Sequence, residues 1–170
     1  MKIENLIEAL EEGLEDCKAH PSLKGVELCY ELMIKYHQKI VEAAGQKDRY
    51  LAAIGGYTPV ELLYAMDIVP FHLEMYAINV TFMSDCKPLL DAAAGYGIPP
   101  EVCSSQRASI GLAVSDVIPR PDLVINTALV CDPAIKTFEI VSKRYQCPTF
   151  FLDQPYIFNE TGVKYYKKEL

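Results

Sequence analysis

A chain of 170 residues, 51% hydrophobic and 23% charged, has the composition of a folded globular protein, not of a disordered one. At this length about 70% of the unfolded surface can be buried, so a core is available without disulfide staples. The 16 basic against 23 acidic residues leave a net charge of −7 with no stripe of Lys and Arg, which argues against nucleic acid as the main partner.

The first residues, Met1-Lys2-Ile3-Glu4-Asn5, turn polar and acidic at once and lack the apolar run of a signal peptide. In the most apolar stretch, Asp67, His72, Glu74 and Asp85 interrupt any window long enough to span a bilayer, so no membrane partner is expected. The expected location is the cytoplasm. There the six cysteines stay reduced and point to metal or redox chemistry, not to disulfides.

In chain order, Ile3, Leu6, Ile7, Leu10, Leu14 and Cys17 form the stripe of an amphipathic helix stopped near Pro21. A second stripe runs through Val26, Cys29, Leu32, Met33, Tyr36, Ile40, Val41 and Ala44 to a stop at Gly45. These helices make a front segment, residues 1–48, ahead of an α/β domain, 49–170. In that domain, short apolar runs bounded by Gly and Pro read as buried parallel strands.

Strands are predicted over Leu51–Ile54, Ile68–Leu73, Leu123–Val130 and Thr149–Leu152. Between them, a helix should open at Thr58, with Pro59 in its first turn and Glu61 closing a capping box. Further helices are predicted over 84–97, 105–117 and 134–144, and Val163, Tyr166 and Leu170 mark one more at the end. The fold class is α/β: a doubly wound, mainly parallel, Rossmann-like sheet behind a helical front segment.

Position separates the cysteines. Cys17 and Cys29 lie on apolar stripes and read as small core residues, and Cys147 precedes Pro148 at the strand end away from a ligand crevice. Cys103 and Cys131 each stand where the chain enters a helix, whose N-terminus stabilises the thiolate that binds metal. Position alone leaves two readings open, a metal pair or two unrelated buried thiols. No CxxC, GxGxxG or P-loop pattern is present. A cysteine nucleophile served by His72, the one central histidine, is the remaining enzyme reading from the residues.

Four blocks in order carry a resemblance: Thr58 to Pro70 (Thr-Pro-Val-Glu-Leu-Leu-Tyr-Ala-Met-Asp-Ile-Val-Pro), Tyr96 to Arg107 around Cys103, Val130-Cys131-Asp132, and Leu152-Asp153-Gln154-Pro155-Tyr156. Together they resemble the 2-hydroxyacyl-CoA dehydratase and benzoyl-CoA reductase family. The resemblance implies an oxygen-sensitive subunit with a [4Fe-4S] cluster on three cysteines, a related partner subunit, an ATP-dependent electron-donating activator and an acyl-CoA substrate. In the dehydratases, water leaves a 2-hydroxyacyl-CoA thioester by one-electron, ketyl-radical chemistry; the reductases dearomatise benzoyl-CoA.

Carried over by position, Cys103 and Cys131 match two cluster cysteines, and Glu61 matches a glutamate near the substrate. Ser104 and Arg107 flank the first cysteine; Ser104 is a catalytic candidate, with helix capping and a solvent-facing charge as the plainer accounts of the two. The third cysteine of the family comes from a second α/β domain. Because this chain ends at Leu170, the expectation is an N-terminal part of such a subunit, with Cys86 as a less favoured substitute ligand. A non-catalytic α/β scaffold that binds a partner subunit is the competing reading.

Overall fold

The computed structural model describes residues 1–20, 23–127, 129 and 131–170. Two helices, α1 (Ile3–Ala19) and α2 (Lys24–Ala43), precede β1 (Tyr50–Ile54), α3 (Val60–Ala65) and β2 (Ile68–His72). Three consecutive helices follow, α4 (Leu73–Met83), α5 (Lys87–Gly95) and α6 (Ser104–Val114). The chain closes with β3 (Leu123–Thr127), α7 (Asp132–Tyr145), β4 (Thr149–Leu152) and α8 (Glu160–Glu169).

The four strands form one all-parallel sheet in the order β2-β1-β3-β4. The chain leaves β1 toward β2 on one side and then returns past β1 to β3, so the order reverses between β1 and β3. In open parallel sheets that reversal opens a crevice at the carboxyl ends of the strands, where ligands bind.

Alternation along the strands divides the core. Leu51, Ala53, Phe71 and Val124 face the large cluster built with α1, α2, α4, α6 and α7, whereas Ala52, Ile54 and Ile125 face the other side. The main cluster joins Leu6 and Leu10 of α1 and Ile40 of α2 to Phe71 and Tyr76, so the helical front segment and the sheet share one core. The second face is thinly covered: Leu63 and Val60 of the short α3 pack there, while Phe150 of the edge strand β4 stays exposed.

Several expectations need correction. The segment from Leu73 to Met83 is a helix, where sequence gave only the end of a strand at Leu73. It is apolar nearly all round, so no stripe announces it, and a helix of that kind is recognised by burial instead. In α2 the buried side chains are Ile34, His37, Ile40 and Ala43; Val26, Cys29 and Leu32 are exposed, and Cys17 is only partly buried. α2 is thus rotated relative to its predicted stripe, and Cys29 is not a core residue.

The capping box at Thr58 does not form either. Thr58 Oγ1 donates to the Gly55 carbonyl at 3.0 Å, and Pro59 occupies the N-cap of α3 without a side-chain bond. The third strand ends at Thr127; the predicted extension includes Ala128 and Val130, which like Pro21 lie outside the described residues.

Candidate functional site

The reversal point between β1 and β3 is built from small and buried polar groups. Gly55 follows β1 where a Cβ would meet Asn126 Oδ1 at 2.7 Å, so only glycine lets the two strand ends close up. Asn126 Oδ1 accepts the Thr127 N–H at 2.9 Å, and Thr127 Oγ1 donates to the Gly56 carbonyl at 2.8 Å. Thr58, Asn126, Thr127 and Gln154 are all buried at this end of the sheet. Buried polar groups are costly unless bonded, and here they tie the loops after β1 and β3 together.

Cys131 is the N-cap of α7, directly after β3, and is partly buried. Cys103 is the N-cap of α6 and is exposed. Because α6 leads into the amino end of β3, where Asp122 exchanges hydrogen bonds with Leu51, its own N-terminus lies toward the carboxyl ends of the strands. α6 also packs along α7. Neither cysteine makes a side-chain capping bond, so each thiol stands at a positive helix end without being spent on the cap.

One turn into α6, Arg107 is not a solvent-facing charge. Its Nη2 donates to the Leu90 carbonyl at 3.4 Å and its Nη1 to the Pro100 carbonyl at 3.5 Å, bracing the loop that leads to Cys103 against α5. Gln106, 3% exposed, donates to Glu74 Oε1 at 2.5 Å and links α6 to α4. Ser104 is the first exposed residue of α6 and does not cap it, since Cys103 holds that position.

The remaining candidates are dispersed. Glu61 is exposed in the first turn of α3. His72 Nδ1 accepts the Met75 N–H at 3.4 Å as the cap of α4, and burial lowers its pKa; among the described residues no hydrogen bond joins it to Cys103 or Cys131. Cys86 occupies the N-cap of α5 without a side-chain bond and lines a small cleft of about 300 Å³ with Ser104 and Ser105, near the start of α6.

A larger cleft of about 490 Å³ opens under α8 at the carboxyl ends of β1, β3 and β4. Tyr57, Leu129 and Gln154 form its sheet side, and Val163, Tyr166 and Lys167 its helix side. Tyr57 holds a left-handed φ of 63°, which is uncommon for a bulky residue and recurs at ligand sites. The sequence reading used Gln154 only as part of a landmark and missed Asn126, Thr127 and the brace at Arg107. The signal available for Asn126 and Thr127 was two polar residues interrupting an otherwise apolar run.

A cluster held by three cysteines needs three converging thiolates. Among the described residues, no group of three or more His, Cys, Asp or Glu side chains is placed to hold a metal ion. The donor set gathered here therefore does not fit the whole cluster: Cys103 and Cys131 qualify by position as two donors, and Cys86 does not complete them.

A four-stranded parallel sheet with buried polar groups at its reversal point and cysteines at two helix N-termini defines a protein of the α/β class. The particular kind follows from comparison. Residues 56–170 match the model of the family described as 2-hydroxyglutaryl-CoA dehydratase, D-component, and the chain belongs to that family. It is also 27% identical over 105 residues to the (R)-phenyllactyl-CoA dehydratase alpha subunit of Clostridium sporogenes, an alignment covering 58% of this chain and 25% of that protein. The chain thus spans about a quarter of the length of the curated relative it matches. Among the described residues no helix is long and apolar enough to cross a membrane.

Proposed function

We propose that this chain is a subunit, or the N-terminal part of one, of an iron–sulfur 2-hydroxyacyl-CoA dehydratase that eliminates water from a 2-hydroxyacyl-CoA thioester. The observation that carries the reading is the placement of Cys103 and Cys131, each uncapped at a helix N-terminus on the carboxyl-end side of the sheet, in a chain of this family. Dehydration is favoured over the ring reduction of the benzoyl-CoA type because both comparisons name dehydratases.

In this reading the two thiolates are part of a ligand set completed by polypeptide other than the described residues. The cluster supplies the one-electron chemistry, with the related subunit and the ATP-dependent activator as partners and the cytoplasm as the location. Arg107 holds the Cys103 loop in place, and Glu61 and Ser104 are candidates for contact with the substrate.

The test is iron and acid-labile sulfide after strictly anaerobic reconstitution, on the chain alone and on the chain co-purified with its related subunit, for wild type, Cys103→Ala and Cys131→Ala. The expected result is stoichiometric cluster in the assembly and its loss in both variants. Full cluster content in both variants would discard the ligand assignment, and stable assembly without iron in the wild type would leave the scaffold reading in its place.

A further inference from the structure

Parallel sheets are ordinarily covered on both faces, because their crossovers lay helices on each side. Here one face carries the main core, and the other is left short of cover. Alternation along β1 turns Tyr50 to that second face with Ala52 and Ile54, and the strand register adds Ile125 of β3 and Phe150 of β4. Among the described residues, the helical members of this second cluster come from the short α3.

Between α3 and β4 lies a groove of about 350 Å³, with Ile68 and Ile125 on its sheet side and Leu62, Met66, Phe150 and Leu170 exposed around it. Tyr50, the strand partner of Ile68, extends the patch along β1 and is exposed as well. At the observed exposures these five large side chains leave on the order of 500 Å² uncovered, so two copies burying the patch against each other remove about 1,000 Å² before groove and rim are added. A specific interface begins at about that size.

Charge selects the occupant. Each chain carries −7, so two copies repel wherever their carboxylates face one another. Glu169 is the single charged residue that lines this groove among the described residues, which makes the second face a place where like-charged copies can meet. The patch also complements itself: it offers a groove and, in Met66 and Phe150, exposed side chains able to fill one. A two-fold contact needs both features on the same surface.

We infer that the second face of the sheet, around Leu62, Met66 and Phe150, is the interface of a two-fold dimer of this chain. Its occupant is the same patch of a second copy. The inference goes beyond the dehydratase reading and does not depend on it, since no cysteine, cluster or substrate enters the contact.

Sedimentation velocity of the full chain over a concentration series, at low and at high salt, tests this. The wild type should pass from monomer to dimer with a dissociation constant of about 10 μM or tighter, and salt should tighten it by screening the like charges. Met66→Glu and Phe150→Glu should each raise that constant by at least about tenfold, with circular dichroism unchanged because both positions are exposed. Leu28→Glu puts the same charge on an exposed position of α2 outside the patch and should leave the dimer intact.

A monomer at every concentration would overturn the interface, and so would a dimer that survives both patch substitutions. Loss of the dimer in Phe150→Glu but not in Met66→Glu would overturn it by placing the contact on the β4 edge alone. A chain that stays monomeric by itself and pairs only with its related subunit would overturn it by giving the face another occupant. Iron content does not enter these readouts, so failure here is separable from failure of the dehydratase reading.

Discussion

Tyr36 Oη accepts the His72 N–H at 2.7 Å and donates to the Pro70 carbonyl at 3.1 Å. One hydroxyl on α2 thus serves two backbone groups of β2, a strand with no further neighbour on that edge among the described residues. Burial pushes the phenol up to about 12, which keeps it protonated and able to donate. This pair of bonds ties the helical front segment directly to the sheet.

Tyr36→Phe removes both bonds and leaves two backbone groups without partners. The expected loss is about 1–3 kcal/mol, read as a lower urea midpoint with an unchanged slope. A midpoint equal to that of wild type would show that water replaces the hydroxyl without cost.

His37 is fully buried between Tyr36 and Tyr76, and its Nδ1 lies 2.7 Å from the Met33 carbonyl. That carbonyl requires the neutral ring to carry its proton on Nδ1, which leaves Nε2 buried without a partner. Burial lowers the pKa of the ring below its ordinary 6.5. The unfolded chain then binds the proton more readily, so stability is fully present above about pH 6.5 and falls as pH drops from there toward the folded value. Urea midpoints measured down to pH 5 should fall, and His37→Phe should flatten the fall only in part, since burial lowers His72 in the same direction. An unaltered pH slope in the variant would contradict this account.

Gly111 is where α6 touches α5, and a Cβ there would collide with the Leu89 carbonyl and its neighbouring backbone atoms. Backbone cannot step aside as a flexible side chain can. Gly111→Ala should therefore destabilise by about 1–3 kcal/mol, outweighing the gain in helix propensity of about 0.5–1 kcal/mol. Thermal unfolding checks the sign; a higher midpoint would mean that the two helices separate freely.

The thiols should also sort by environment. Cys29 and Cys103 are exposed, whereas burial raises the Cys147 pKa and reduces its thiolate fraction. Iodoacetamide at pH 7.5, followed by peptide mass spectrometry of the metal-free chain, should label Cys29 and Cys103 first and Cys147 last. Early labelling of Cys147 would show that the loop from α7 to β4 opens readily.

Sequence legibility followed local physics. The strands were readable because they are short apolar runs between turn residues, and Cys103 and Cys131 were readable as helix entries because Ser104-Ser105 and Asp132-Pro133 follow them. α4 was hidden by apolar residues on all sides, and the face of α2 was misread at its start because Val26, Cys29 and Leu32 recur at three-residue steps that the fold leaves exposed. The reversal point was beyond local reading: Gly55 against Asn126 and Gln154 against Tyr57 join residues distant in the chain.

The edge strand β4 has a consequence for handling the protein. Phe150 and Phe151, 58% and 47% exposed, lie on opposite faces of a strand whose outer backbone edge is unpaired among the described residues. Two such edges meeting in solution can zip together, and that encounter is second order in protein while folding is first order. Refolding yield should therefore drop with chain concentration, and Phe151→Lys should restore it without disturbing the native strand register.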